Sequence, residues 1–180
     1  MVVNMSVFST VVSVILSAIM LSLGIPNELF KQGSAIFGLI SLIPLYLALR
    51  DSRSWAHAGL LGGLMMALVH ALSSFWLAYF KDFAIFTLGA STLAYFGLGI
   101  LVGWILRYML QFSRPLRPFL FALTWLSWEW FKSTGFLAYP WGTLAMSSRE
   151  LMPLIQIAEI TGVWGIGFLM ALPQALLAET

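Results

Sequence analysis

Residues 5–24, MSVFSTVVSVILSAIMLSLG, form a run of 20 positions without a single charged side chain. A helix needs about 20 mostly apolar residues to cross the hydrocarbon core of a bilayer, where it satisfies its own backbone hydrogen bonds. The run therefore predicts a membrane-spanning helix that ends near Gly24, Pro26 and Asn27. No basic residue precedes the run, and no small-residue cleavage pattern with a polar chain follows it. We therefore interpret it as a retained anchor rather than a removed signal peptide.

The rest of the chain has the same apolar character. Hydrophobic residues make up 61% and charged residues 9% of the 180 positions, and the mean hydropathy is +0.94. In soluble domains about a quarter of the residues are charged. The charged residues here stand singly between apolar runs, so residues 1–180 are predicted to form one membrane domain.

Two counts exclude whole classes of function. Nine Lys and Arg against seven Asp and Glu leave no basic patch that would bind nucleic acid. Cysteine is absent, which excludes disulfides, thiolate metal sites and a cysteine nucleophile within these residues.

Charges, prolines and glycines divide the chain into about six apolar segments, which predicts an all-α, polytopic transmembrane helical bundle. The segments are 5–24, 34–49, 56–80, 83–110, 119–132 and 151–177. We expect Pro44 to kink the second segment and Pro173 to interrupt the sixth. The fifth is short, and it crosses the membrane only if the Lys132 side chain snorkels to the interface; otherwise it tilts or re-enters.

The basic residues predict an orientation, because cytoplasmic loops are enriched in Lys and Arg. With the N-terminus inside, the cytoplasmic loops carry Arg50, Arg53, Arg107, Arg114 and Arg117, and the opposite side carries Lys31, Lys81, Lys132 and Arg149. Most of the second group have an acidic neighbour, whereas the cluster from Arg107 to Arg117 has none. A cytoplasmic N-terminus places residues 134–150 on the outer face.

Small residues on two segments predict close helix packing. Gly59 and Gly63 are spaced four apart, as are Gly99 and Gly103, and such pairs let helix backbones approach each other in lipid. His70 shares a helical face with Ser73 and Ser74, which predicts a hydrogen bond between helices. A metal site there is not expected, since no second His, Asp or Glu stands at ligand spacing.

The most informative region contains three motifs: WLSWEWFK at 125–132, YPWG at 139–142 and PLIQIAEITGVWG at 153–165. Trp125, Trp128, Glu129 and Lys132 recur at three- and four-residue steps, so they share one helical face, and Glu129 and Lys132 could pair across one turn. A carboxylate at membrane depth points to function, whereas an interfacial ion pair below an aromatic belt is the structural alternative. Glu159 either hydrogen-bonds a neighbouring helix or lines a wet cleft.

These motifs resemble the membrane part of the bacterial apolipoprotein N-acyltransferases, which has a helix ending in Glu-x-x-Arg, a Gly-Phe-Pro-Trp turn and a Pro-Leu…Gly-Val segment. The resemblance extends more loosely over nearly all of the chain. Two positions depart from it: Lys132 replaces Arg, and Ala138 with Tyr139 replaces Gly-Phe. The first change weakens any bidentate phosphate contact, because an ammonium group is a point charge.

The resemblance implies a function in the bacterial cytoplasmic (inner) membrane. Such enzymes move an acyl chain from a membrane phospholipid to the amino group of a lipoprotein's N-terminal cysteine. They use a Glu-Lys-Cys triad in a nitrilase-like domain on the outer face, and no cofactor is expected. Because these 180 residues contain no cysteine, we expect no catalytic residue here, and a truncated or split form that is inactive alone. The alternatives are a non-catalytic module that docks a separate nitrilase-like chain, or an unrelated small transporter.

What these residues could still do is bind lipid near the outer leaflet. Trp141 and Tyr139 are expected at headgroup level, where Lys132 or Arg149 would meet a phosphate. The expected partners are membrane phospholipid, the lipoprotein substrate and a nitrilase-like domain. The candidate lipid-binding residues are Trp128, Glu129, Lys132, Tyr139, Pro140, Trp141, Arg149, Glu159 and Trp164.

Overall fold

The computed structural model describes residues 5–28, 30–135 and 138–180, and every regular element in these ranges is helical. Phe136 and Leu137, in the loop that is predicted to lie on the outer face, are outside the described ranges. The α-helices are α1 (Val7–Gly24), α2 (Ala35–Ile40), α3 (Leu42–Arg50), α4 (Trp55–Ser73), α5 (Ser91–Met109), α6 (Arg117–Ser133), α7 (Met152–Ile155) and α8 (Ala158–Glu179). Between α4 and α5 lie a first 3₁₀ helix (Phe75–Phe83) and a π-helical turn (Ile85–Ala90), and a second 3₁₀ helix (Leu144–Glu150) precedes α7. The predicted all-α class is confirmed.

Four helical stretches are long and apolar enough to cross a bilayer: Val7–Gly24, Trp55–Ser73, Ile85–Met109 and Ala158–Glu179. The other two predicted segments are shorter. Residues Ala35–Arg50 are divided between α2 and α3, and α6 has 17 residues. The chain is thus a helical membrane protein in which shorter apolar helices pack among the four long ones.

The breaks in the helices fall partly where the prolines predict them. The second segment breaks at Ser41, between Ile40 and Leu42. This confirms the expected kink, because the Pro44 ring clashes with the carbonyl four residues earlier, that of Ile40. The expected interruption at Pro173 is wrong: α8 passes through Pro173, and its non-helical residue is Gly162, with φ 65°.

The third predicted segment also ends earlier than expected. Regular α-helix stops at Ser73, and the chain continues as 3₁₀ helix through Phe80. Lys81 has φ 42°, a left-handed conformation that L-residues seldom adopt and that no α-helix can contain. The α-helical part of the predicted segment 56–80 is therefore shorter than expected, whereas the irregular backbone at Lys81 falls at the boundary predicted there.

Backbone groups freed by the break at Ser41 are satisfied by a glutamine on another helix. Gln174 of α8 is fully buried, and its side chain accepts a hydrogen bond from the Leu42 amide at 2.7 Å. It also donates to the Gly38 carbonyl at 3.0 Å. In lipid an unpaired backbone group is costly, so Gln174 stabilises the break and ties α8 to α2 and α3.

The glycine spacing brings α4 and α5 into direct backbone contact. A Cβ atom added to Gly99 would lie 2.6 Å from the carbonyl oxygen of Gly62, well inside van der Waals distance. Gly59 and Gly63 face the same helix, and Gly103 meets α4 one turn further along. The predicted packing stripes are confirmed, with Gly62 at their closest point.

The bundle has two ends with different charge. At the first, the arginine end, the Met5 amide donates to Asp51 at 3.0 Å, and Glu179 forms ion pairs with Arg114 at 3.2 Å and Arg117 at 3.6 Å. Its five cationic residues are Arg50, Arg53, Arg107, Arg114 and Arg117. The remaining cationic residues, Lys31, Lys81, Lys132 and Arg149, belong to the loop end, which carries residues 134–150. The grouping matches the predicted loops, and the leaflet that each end faces stays a prediction.

Candidate functional site

The polar residues of α6 lie on its buried face. The exposed fractions of Trp125, Trp128, Glu129 and Lys132 are 2%, 6%, 1% and 4%. The prediction that these four residues share one helical face is confirmed. The face turns toward the bundle interior rather than toward the headgroups, and this decides how its two charges are used.

Glu129 joins three parts of the fold. Its Oε1 atom accepts hydrogen bonds from the Trp125 indole N–H at 3.0 Å and from the Leu144 amide at 2.6 Å. Its Oε2 atom faces Gly167 of α8, where an added Cβ would lie 3.3 Å away. The carboxylate therefore holds the start of the second 3₁₀ helix against α6 and next to α8.

Lys132 bonds the loop instead of the neighbouring carboxylate. Its Nζ atom donates to the Trp141 carbonyl oxygen at 2.7 Å, and it forms no ion pair with Glu129. The predicted Glu129–Lys132 pair is therefore wrong, because both groups find backbone partners in the loop that folds over them. Snorkelling is wrong as well, since the Lys132 side chain stays enclosed.

The YPWG turn is fastened to the end of α4. The Trp141 indole N–H donates to the Ser73 carbonyl at 2.7 Å, and the Tyr139 hydroxyl donates to Ser74 Oγ at 2.8 Å. The last carbonyls of a helix lack intrahelical partners, so Trp141 completes one that α4 leaves open. Burial raises the pKa of the Tyr139 hydroxyl, and the Glu28 carboxylate adds to the rise.

His70 connects α4 to α5. Its Nε2 atom lies 2.7 Å from Ser91 Oγ, which confirms the predicted hydrogen bond between helices. Its ring stacks on Tyr95 with centroids 4.2 Å apart, and Tyr95 meets Trp128 edge to face at 5.9 Å. We call the whole set the polar cluster: His70, Ser73, Ser74, Tyr95, Glu129, Lys132, Tyr139 and Trp141.

The interior of the polar cluster is nearly full. Its cavity, which Tyr95, Glu129, Lys132 and Trp141 help to line, has a volume of about 10 Å³. That is room for one water molecule at most. The cavity is therefore too small to hold any group of a lipid.

Four of the predicted site residues lie outside the polar cluster and its cavity. Pro140, Arg149 and Glu159 are exposed, and Trp164 is half-buried. The structure brings Trp128, Glu129, Lys132, Tyr139 and Trp141 together, and it does not add the other four to them. Whether any of the nine touches lipid stays a prediction.

Sequence reasoning missed several members of the cluster. Tyr95 and the amide of Leu144 carry no motif, because one stacks across helices and the other is a backbone donor. Ser73 and Ser74 had a signal, since two adjacent hydroxyl residues end an apolar run. Only the fold shows that the YPWG turn is what they bind.

An apolar groove runs between α5 and α6, with a volume of about 520 Å³. Trp128 lines both this groove and the cavity of the polar cluster. The Ser127 hydroxyl is turned back onto the Leu123 carbonyl at 2.8 Å, so it presents little polarity to the groove. The groove lining is Leu98, Leu101, Val102, Ile105, Met109, Leu120, Leu123, Thr124, Ser127, Trp128 and Phe131.

A second, open depression lies at the loop end. It has a volume of about 450 Å³ and is lined by Pro26, Asn27, Glu28, Lys31, Trp76 and Trp141. Among the residues that the structure describes, no three His, Asp or Glu side chains come together to hold a metal ion. The groove and this depression are therefore the surfaces available to a ligand next to the polar cluster.

Comparison with known proteins identifies the family of this chain. The family model of the apolipoprotein N-acyltransferase N-terminal domain matches residues 17–176. The chain belongs to this family. It is similar to apolipoprotein N-acyltransferase 2 of Treponema denticola, with 52% identity over 166 residues, covering 92% of this chain and 32% of the relative.

Other apolipoprotein N-acyltransferases match over the same region. Apolipoprotein N-acyltransferase 2 of Treponema pallidum is 50% identical over 164 residues, which cover 91% of this chain and 29% of that protein. The Borreliella burgdorferi apolipoprotein N-acyltransferase is 31% identical over 152 residues, covering 84% of this chain and 29% of that protein. The chain thus spans about a third of the length of these relatives. No solved structure matches it.

Proposed function

We propose that this chain is the membrane part of an apolipoprotein N-acyltransferase and that it holds the phospholipid donor for transfer of an acyl chain to a lipoprotein. It acts in the bacterial cytoplasmic membrane with its N-terminus in the cytoplasm. Family membership supports the reaction class. The groove between α5 and α6, which adjoins the polar cluster at Trp128, is the observation that carries the role in lipid binding.

The groove suits one acyl chain of a phospholipid. Its volume of about 520 Å³ lies within the range of small-molecule sites, and its lining is almost entirely apolar. A whole transmembrane helix, about 10 Å wide and 30 Å long, would need several times that volume. An acyl chain in the groove points its ester end toward Phe131 and the loop end.

The polar cluster positions the loop that faces the headgroup of the phospholipid donor. Lys132 and Glu129 use their hydrogen-bonding groups to hold residues 139–144 in place. They therefore shape the surface beneath the headgroup, which we call the floor, rather than bind the phosphate. Arg149 is exposed in the second 3₁₀ helix, where its guanidinium can meet a phosphate. Trp141 and Tyr139 provide the aromatic surface expected at headgroup level.

The covalent step needs groups beyond these 180 residues. Transfer through a thioester requires a cysteine nucleophile, a base and an oxyanion donor, and the chain contains no cysteine. A nitrilase-like domain supplies them, either as further sequence of the same protein or as a separate chain docked on the loop end. Co-purification of such a chain would distinguish the second arrangement.

Filling the groove tests the proposal. Ser127 is exposed on α6 and lines the groove, so Ser127→Trp should block it without disturbing the core. We expect at least a tenfold loss of a pyrene-labelled phospholipid bound to the full protein in detergent. N-acylation of lipoproteins in cells that depend on this protein should fall in parallel, as measured by mass spectrometry.

The matched control is Leu93→Trp on α5, where Leu93 is 72% exposed and does not line the groove. It should bind phospholipid and support acylation like the unchanged protein. Trp141→Ala and Lys132→Ala test the floor separately. If Ser127→Trp and both floor variants left phospholipid binding intact, the proposed role in lipid binding would be abandoned.

A further inference from the structure

The arginine end contains a polar pocket at the opposite end of the bundle from the polar cluster. It has a volume of about 360 Å³ and is lined by Met5, Arg50, Asp51, Ser52 and Arg53. The pocket sits where α3 ends and before α4 begins. Unlike the groove, its walls are mainly polar, so it suits a charged ligand.

The charges that face the pocket opening are cationic. The Asp51 side chain is 4% exposed, and its two oxygens are used by the Met5 amide at 3.0 Å and by Arg50 Nε at 3.3 Å. The Arg50 side chain is 31% exposed, and Arg53 is exposed. Within the described residues the Arg53 guanidinium forms no ion pair. Arg50 also donates through Nη1 to the Ala178 carbonyl at 3.1 Å, so part of its guanidinium is already used. A ligand therefore meets the Arg53 guanidinium beside a partly engaged Arg50, and no open carboxylate.

The loop that forms the pocket is braced from behind by a third arginine. Arg107 of α5 donates to the Ser52 carbonyl and hydroxyl, and to the Ser54 carbonyl at 3.1 Å. Its guanidinium lies 5.3 Å from the centre of the Trp55 ring. These contacts fix the backbone between Asp51 and Ser54, so the pocket shape does not depend on a ligand.

Aromatic side chains mark the pocket as lying at the depth of lipid headgroups. Trp55, Trp104 and Tyr108 are exposed by 46%, 41% and 51% around the arginine end, and Trp104 donates to the Trp55 carbonyl at 2.9 Å. Exposed Trp and Tyr collect at the interface between hydrocarbon and water. A basic pocket at this depth faces headgroup phosphates.

We propose that the Arg50–Arg53 pocket binds the phosphate of an anionic phospholipid headgroup. Arg53 offers the paired donors that phosphate oxygens accept, and Arg50 adds positive charge beside it while it holds Asp51 and the Ala178 carbonyl. The site is independent of the proposed function: it lies at the opposite end of the bundle and needs no catalytic domain. Its effect is to fix the arginine end at the membrane surface.

The test uses the full chain in detergent and three ligands: dioctanoyl phosphatidylglycerol, dioctanoyl phosphatidylcholine and inorganic phosphate. Native mass spectrometry and thermal shift measure binding. Phosphatidylglycerol should bind best, and Arg53→Gln should weaken it about fivefold, the loss expected for one arginine near a lipid phosphate. Arg53→Lys should retain more than half of the affinity. Lys81→Gln, which removes an exposed cation at the loop end, should leave it unchanged.

Three results would overturn the proposal. They are equal binding of phosphatidylglycerol and phosphatidylcholine, an Arg53→Gln variant that binds like the unchanged chain, and inorganic phosphate that binds as tightly as the lipid. The last assigns the pocket to free phosphate. Arg53 is exposed and bonds nothing through its side chain, so loss of folding does not confuse the result.

Discussion

At the scale of single residues, two buried charges in α6 serve as braces. Glu129 receives two N–H donors and Lys132 gives one to a carbonyl, so each is satisfied by the loop that covers it. An ionisable side chain in a membrane segment is taken by default as a sign of function. In this chain Glu129 and Lys132 have a structural role instead, because they determine where Trp141 and Tyr139 lie.

Replacing Glu129 separates its hydrogen bonds from its charge. Glu129→Leu leaves the Leu144 amide and the Trp125 indole unpaired, and we expect a loss of about 2–4 kcal/mol in the free energy of unfolding. Glu129→Gln keeps an acceptor and should lose about 1 kcal/mol. Tryptophan fluorescence during denaturant unfolding in detergent measures both, with the exposed Glu159→Gln as control. If Glu129→Leu and Glu129→Gln lost equal free energy of unfolding, the negative charge rather than the hydrogen-bond acceptor would be what stabilises the fold.

At the scale of elements, two helix pairs depend on close fits of different kinds. The helices α4 and α5 meet through glycine backbones, whereas α8 meets α2 and α3 through the Gln174 side chain at a helix break. Neither fit relies on apolar burial, which gives little drive between helices in lipid. Each relies on shape or on hydrogen bonds.

Two glycines two positions apart on α5 test the packing. In Gly99→Ala the new Cβ would lie 2.6 Å from the Gly62 carbonyl oxygen, so the helices must separate. We expect a loss of about 1–3 kcal/mol of stability. Gly97 is exposed with nothing within 4 Å of an added Cβ, so Gly97→Ala should gain up to about 1 kcal/mol from helix propensity. Thermal unfolding in detergent measures both, and equal effects would refute close α4–α5 contact.

At the scale of the whole molecule, charge distinguishes the two ends. The arginine end carries five arginines and two carboxylates, Asp51 and Glu179, while the loop end has more carboxylates than cations. The larger number of Lys and Arg at the arginine end supports the proposed orientation, in which that end faces the cytoplasm. Glu179 also binds Tyr46 of α3, so the ends of α3 and α8 are held together there.

The absence of cysteine makes the orientation simple to measure. Ser113→Cys introduces an exposed thiol at the arginine end, and Lys31→Cys introduces one at the loop end. In spheroplasts, an impermeant maleimide should label Lys31→Cys and spare Ser113→Cys until detergent opens the membrane. Labelling of Ser113→Cys before detergent is added would invert the proposed topology.

The sequence alone determined the class of the molecule and the family to which it belongs. Long apolar runs admit only helices in lipid. The Gly59–Gly63 and Gly99–Gly103 spacing predicted close helix packing, and the three motifs between residues 125 and 165 pointed to the acyltransferases. The tertiary structure decided what the charged and polar side chains bind. The partners of Glu129, Lys132 and Trp141 are backbone atoms of Leu144, Trp141 and Ser73, and a backbone atom leaves no mark in a sequence. The break at Gly162 instead of Pro173 was likewise visible only in the fold, where Gly162 has a φ of 65° that glycine adopts without steric cost.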